Sequence, residues 1–278
     1  MSAPDAKPRP SDLPDFERPP VVEVALSVQF EPLPLQTKHL ALLWEKCRAE
    51  FPEWQDHGPI PPAFEAFGPG FFNARFRTTP LPRALFRNQE GTELKQYQDD
   101  RFVRNWTKAA DAPTYPRYES VLSPFATDLK ALIDFAEKEA LGSLAANQCE
   151  VTYVNLIPLG ESRATTVGAV INPWSGSFSD TFLQDPESSE VGAHFVMRAG
   201  DQSQPLGRLH VVGRVVTVLE TGGKALQLTL TARGQPLGAG VEGVIAFLNL
   251  GREHIVKGFA SFTTAEMHKT WGRRDGRN

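Results

Sequence analysis

The sequence predicts an α+β protein: two similar β-α-β-β-β-α lobes forming antiparallel sheet, with long helices packed on one face. Three observations predict it. Residues 21–30 alternate apolar and polar side chains, as a half-buried strand requires. Two long stretches, ending near 141 and 262, repeat apolar residues at helical spacing. The order of elements in the first half then recurs in the second.

Residues 1–18 are charged and proline-rich and read as a disordered tail. Pro19 and Pro20 stiffen the entry into the first lobe, residues 19–145. In VVEVALSVQF, Val22, Val24, Leu26, Val28 and Phe30 share one face; Glu23, Ala25, Ser27 and Gln29 share the other. That pattern suits an antiparallel sheet better than a doubly buried parallel one. Thr37 is the expected N-cap of a helix carrying Leu40, Leu43, Trp44, Cys47 and Phe51, closed by Pro52. EWQDHGPIPPAFEAFGPG reads as a proline- and glycine-rich connection. Strands follow at 71–78, 83–89 and 92–106. Val121, Phe125, Leu129, Leu132 and Ala136 then stripe a long helix that Gly142 is placed to end.

The second lobe, residues 146–271, opens with a strand at 148–157. A loop holding Pro173, Trp174, Gly176 and Pro186 stands where the first lobe has a helix, with a helical turn expected at 177–184. Strands are expected at 191–199, 206–219 and 225–233, the last two joined at Gly222-Gly223. Val244, Ile245, Leu248, Ile255, Phe259 and Phe262 stripe the second long helix, 241–262. Thr263-Thr264-Ala265-Glu266 has capping-box form, and residues 272–278 read as a frayed tail.

Composition excludes several classes. A hydrophobic share of 41% is enough for a true core, while a net charge of −4 argues against a constitutive nucleic-acid binder. Cys47 and Cys149 form neither a metal nor a disulfide spacing, which points to a reducing compartment. With no signal peptide and no apolar run of about 20 residues, the expected location is cytoplasmic, away from membranes. The histidines are scattered and no HExxH, CxxC or GxSxG is present. No catalytic residue, metal ligand or cofactor is therefore expected.

Two candidate sites remain. The polar alternates define the face that the helices leave uncovered. Arg75 and Arg77 share a face, as do Arg83 and Arg87, and Arg104 lies two residues from Trp106. In the second lobe Arg208, His210 and Arg214 alternate on one strand. His194 and Arg198 lie on another, and Gln227, Thr229, Thr231 and Arg233 on a third. Guanidinium is a planar fork for carboxylate or phosphate, so this face suits an acidic protein segment, a phosphorylated ligand or nucleic acid. The plain alternative is a solvated face paired with acids such as Glu93, Asp99 and Asp100. The second candidate is DRFVRNWTKAADAPTYPRYE. There Arg101, Arg104, Trp106, Tyr115, Arg117 and Tyr118 mix cationic forks with aromatic plates, as interface hot spots do. Its plain alternative is a strand-to-helix crossover clamped by its own contacts.

RPPVVEV near the start, QDDRFVRNW and YPRYE in the middle, and FTTAEMHKTWG near the end carry a resemblance. In that order they resemble a sporadically distributed bacterial family of uncharacterised proteins, over nearly the whole chain apart from the tails. The resemblance brings no catalytic residues. It implies an accessory system of the defence or toxin-control type. The expected function is that of a non-enzymatic binding protein holding a protein partner. Nucleic-acid binding by the arginine-bearing face, or a helix-grip pocket for a small apolar ligand, are the alternatives.

Overall fold

The computed structural model describes residues 13–67, 81–109, 115–160, 166–173, 190–198, 204–219 and 221–274. Among them are five helices and eleven strands, all paired antiparallel, in two sheets. The fold class is α+β. None of the described helices is long and apolar enough to cross a membrane.

The first half contains β1 (Asp15–Phe16), β2 (Val21–Phe30), α1 (Thr37–Cys47), β3 (Glu53–His57), β4 (Arg83–Arg87), β5 (Glu93–Gln98), β6 (Arg101–Thr107) and α2 (Tyr118–Lys138). The second contains β7 (Ala146–Pro158), α3 (Val167–Val170), β8 (Glu190–Met197), β9 (Gly207–Thr217), β10 (Lys224–Gly234), α4 (Gly240–Phe262), α5 (Ala265–Thr270) and β11 (Arg273–Arg274). One nine-stranded sheet runs β3-β4-β5-β6-β2-β7-β10-β9-β8; β1 and β11 form a separate two-stranded pair.

Alternation decides which face meets the helices. Val24, Leu26 and Val28 on β2 oppose Tyr153, Val151 and Cys149 on β7, and all are buried. Leu226, Leu228, Leu230 and Ala232 on β10 continue the same apolar layer. α2 packs on β2 and β6, and α4 on β7, β9 and β10. Their stripes, among them Phe125, Leu129, Phe247 and Ile255, bury against that layer, the main source of stability.

Several expectations change. The connection after α1 begins with an edge strand, β3, whose Trp54 packs on Phe86 and Trp44. The strand expected at 92–106 is a hairpin, because Asp99 and Asp100 turn the chain between β5 and β6. The cap of α1 is Gln36 rather than Thr37; its N–H donates to His39 Nδ1 at 3.0 Å. Thr264 rather than Thr263 caps α5, accepting from Met267 N–H. Residues 13–18 are not a free tail: Phe16 is buried against Phe259 and Trp271. The strand expected at 71–78 and the turn at 177–184 lie outside the described residues.

Candidate functional site

β3 and β4 are antiparallel neighbours, paired from Glu53↔Arg87 to His57↔Arg83, so a two-residue turn would be enough to join them. The chain instead uses residues 58–82. Connections this long between neighbouring strands are uncommon, and are usually either functional or linkers. The described part, residues 58–67, leaves the sheet edge and crosses the face that the helices leave bare, reaching β9.

The sheet holds this strap with side chains, not with a strand ladder. Gln98 on β5 accepts the Ile60 N–H at 2.8 Å and donates to the Ile60 carbonyl at 2.9 Å. Gln29 on β2 accepts the Ala63 N–H at 2.9 Å, and Gln148 on β7 accepts the Glu65 N–H at 3.3 Å. Arg101 on β6 donates to Gln29 Oε1 at 2.7 Å and to the Pro61 carbonyl at 3.1 Å. Arg208 on β9 donates to the Ala66 carbonyl at 2.9 Å. A glutamine amide both donates and accepts, as a peptide group does, so it can replace a neighbouring strand. Pro59, Pro61 and Pro62 each restrict the strap backbone to φ near −65°, which lowers the entropy lost on docking.

Glu65 anchors the far end. Its carboxylate is 5% exposed and accepts from Arg208 Nη1 at 2.6 Å and from His210 Nε2 at 2.5 Å. Arg233 Nη1 stands 3.5 Å away and also bonds Glu150 through Nε at 2.6 Å. Burial alone would push the Glu65 carboxyl up. The hydrogen bonds from His210 and Arg208 and the charge of Arg233 outweigh it and hold it below its ordinary value. The Arg208 guanidinium lies over the Phe67 ring at 4.4 Å, and His194 packs on His210 at 4.5 Å.

The fit of strap to sheet is incomplete. Among the described residues, Arg101 Nε is buried with no hydrogen-bond partner, and so is Arg83 Nε beside Gln96. Burial pulls both guanidinium pKa values below the ordinary one. A gap of about 10 Å³ between Ala63, Gln29, Arg101 and Gln148 has room for roughly one water.

The two sequence-derived sites separate differently from expectation. Arg101, Arg208 and His210 converge on the strap, joined by Arg233. Arg214 shares that face but pairs with Glu190 near its exposed margin. Arg75 and Arg77 lie outside the described residues. Arg104 does not share the bare face. It opposes Leu26 in the β2–β6 register, so it enters the helix side, where Asp128 of α2 and Glu93 take both its ends. Its parity follows Phe102 and Trp106, which the core claims. Trp106, Tyr115 and Tyr118 also lie on the helix side. Tyr115 bonds Tyr153 through their hydroxyls at 2.8 Å, and Arg117 pairs with Asp15 at 2.7 Å. The aromatic crossover is therefore not one exposed hot spot.

Sequence reading missed Glu65 and the glutamines Gln29, Gln98 and Gln148. Their signal was present: glutamines at polar positions of three strands, two of them the neighbours β2 and β7, and an acid inside a proline-rich connection. Neither cysteine is a ready nucleophile. Burial raises the Cys149 thiol to about 12 and also raises Cys47. Among the described residues no group of three His, Cys, Asp or Glu is arranged to hold a metal ion. No protein-family model matches the chain, and no curated protein matches it.

Proposed function

We propose that this is a non-enzymatic binding protein whose bare sheet face holds an extended acidic segment of a protein partner. The strap occupies that place in the free chain. One observation carries the reading: an extended segment is held across the sheet by side-chain amides and a carboxylate cradle, in a connection far longer than its strands require. A partner chain with a carboxylate at the position of Glu65 would meet the same donors. The resemblance to a sporadically distributed family supports reading such a partner as part of an accessory system.

On β9 and β10 the arginines of this face are paired with carboxylates. Arg208 and Arg233 face Glu65 and Glu150, and Arg214 faces Glu190. With a net charge of −4, this counts against nucleic acid as the ligand. We also propose that residues 19–145 and 146–271 are copies of one β-α-β-β-β-α unit. Strand order supports this: outward from the β2–β7 seam it runs β6, β5, β4 on one side and β10, β9, β8 on the other. A long helix follows the last strand of each set. On this scheme the strap leaves one copy and is anchored on the other.

The test uses a variant in which Gly-Gly replaces residues 58–80, its fold verified by circular dichroism. A labelled peptide of residues 58–67 is titrated into it and into the native chain. The variant is expected to bind at least about tenfold more tightly, because the competing strap is gone. A peptide with Glu65→Gln is expected to lose about tenfold, a charge-assisted hydrogen-bond set. A folded variant that ignores the peptide would sink the proposal.

A further inference from the structure

At the β8 end of the nine-stranded sheet, we infer that two copies of this chain join edge to edge, β8 against β8, about a two-fold axis at His194. The two ends of the sheet differ. β3, at one end, is five residues long and carries Glu53 and Asp56, so it is guarded as exposed edges usually are. β8, at the other, is eight residues long and pairs with β9 without a bulge. After Glu190 it holds no Asp, Glu, Lys, Arg or Pro, and among the described residues nothing pairs with its outer side. A long, regular edge without charge is a template for another strand.

Two large apolar residues lie exposed on this edge, Phe195 at 48% and Val196 at 45%. They are consecutive, so they point to opposite faces of the sheet. Phe195 lies opposite Leu209 on the helix side, and Val196 opposite Arg208 on the bare side. A molecule resting on either face would cover one of them. A strand laid along the edge covers both.

Self-complementarity makes that strand a second copy of β8. In an antiparallel pair related by a two-fold axis, opposed residues share a face, so the axis must pass through a residue position. With the axis at His194, Glu190 falls opposite Arg198, Gly192 opposite Val196 and Ala193 opposite Phe195, each twice. Acid meets base, and small meets large. Arg198 directly follows β8, is exposed and makes no ion pair among the described residues. Glu190 bonds Arg214, but both side chains are more than half exposed, and a carboxylate can accept from a second guanidinium. A Cβ added at Gly192 would meet nothing within 4 Å, which leaves room for the opposing valine. Moving the axis to Ala193 sets Glu190 against Val196, and moving it to Phe195 carries Glu190 past Arg198. Either shift loses both ion pairs. The axis stands perpendicular to the sheet, so the two bare faces, each with its Glu65 cradle, lie on one side of the dimer.

Sedimentation velocity of the intact chain over about a hundredfold range of concentration should show a monomer–dimer equilibrium. Arg198→Glu sets acid against acid at both ends of the seam and should weaken the dimer at least about tenfold. Glu190→Arg sets arginine against arginine and should do the same. Mixed in equal amounts, the two variants should form a dimer again, because each glutamate then meets an arginine. On oxidation His194→Cys should form a disulfide with its own copy, and Gly192→Cys should not. The inference is overturned if the native chain is a monomer throughout, or if Arg198→Glu leaves the dimer unchanged. It is equally overturned if mixing restores nothing, or if Gly192→Cys crosslinks and His194→Cys does not. Should Glu190→Arg fail to fold for want of its bond to Arg214, Arg198→Glu and His194→Cys still decide. None of these outcomes depends on the strap.

Discussion

Arg104 and Glu65 are both charged side chains almost withdrawn from water, and they do different work. Arg104 joins α2 to the sheet through Asp128, beside Lys95, whose ammonium also bonds Asp128 at 2.8 Å and lies over the Phe51 ring. Removing one partner of such a cluster leaves the rest uncompensated, so Arg104→Ala should lower unfolding free energy by about 3–5 kcal/mol in urea titration. Peptide binding to the strap-free face should not change. Glu65 instead holds a segment to a surface. Its carboxyl is depressed in the folded state, so its contribution is complete above the ordinary carboxylate value of about 4.3 and is lost as pH falls through the lower folded value. The groups around it are Arg208, His210, Arg233 and, through Arg233, Glu150. NMR signals of Ala63 and Glu65 should keep their docked positions from neutral pH downward and move toward coil values only below about pH 4. In Glu65→Gln they should already be displaced at neutral pH. The sequence showed the cationic side of this cradle, since Arg208, His210 and Arg233 alternate on strands. It could not show the anion, because Glu65 is 143 residues from Arg208 and 145 from His210. Arg104 was misplaced for a related reason. Alternation gives a residue's parity but not the helix carboxylate that makes a core position acceptable to arginine.

Elements were legible where one face is purely aliphatic. β10 alternates cleanly, β2 does so from Val24 onward, past a bulge that buries Val21 in place of Val22, and α2 and α4 carry continuous stripes, so their positions follow from local pattern. β3 was not legible, because Glu53–His57 is short, polar and largely exposed at a sheet edge. The 92–106 stretch reads as one strand because its turn, Asp99-Asp100, contains neither glycine nor proline. Close approach between elements sets its own limit. A Cβ on Gly234 of β10 would meet the Leu206 carbonyl at 2.3 Å and the Phe247 ring of α4 at 2.5 Å. Gly234→Ala should therefore destabilise by about 1–3 kcal/mol, measured by chemical denaturation, as overpacking does. An alanine at Gly192 of β8 meets nothing within 4 Å and is the matching control. The strap is the element least visible in sequence. It has no periodicity, and its hydrogen bonds run to side chains on strands far along the chain.

At the scale of the whole molecule, one sheet serves two purposes. One face is buried under α2 and α4 and fixes the fold. The other is polar and is crossed by the chain's own residues 58–67, from β5 to β9. A segment held by side-chain amides and one carboxylate, with Arg101 Nε beneath it finding no partner among the described residues, is held less firmly than a strand in a ladder. On the function proposed above, it exchanges for a partner's chain of the same chemistry. The most direct measurement is amide hydrogen exchange at Ile60, Ala63 and Glu65 in the native chain at one fixed pH, with and without excess peptide of residues 58–67. Alone, these amides should be protected; with peptide, they should exchange freely while the β2 and β7 amides stay protected. Strap amides that remain equally protected at saturating peptide would contradict the account.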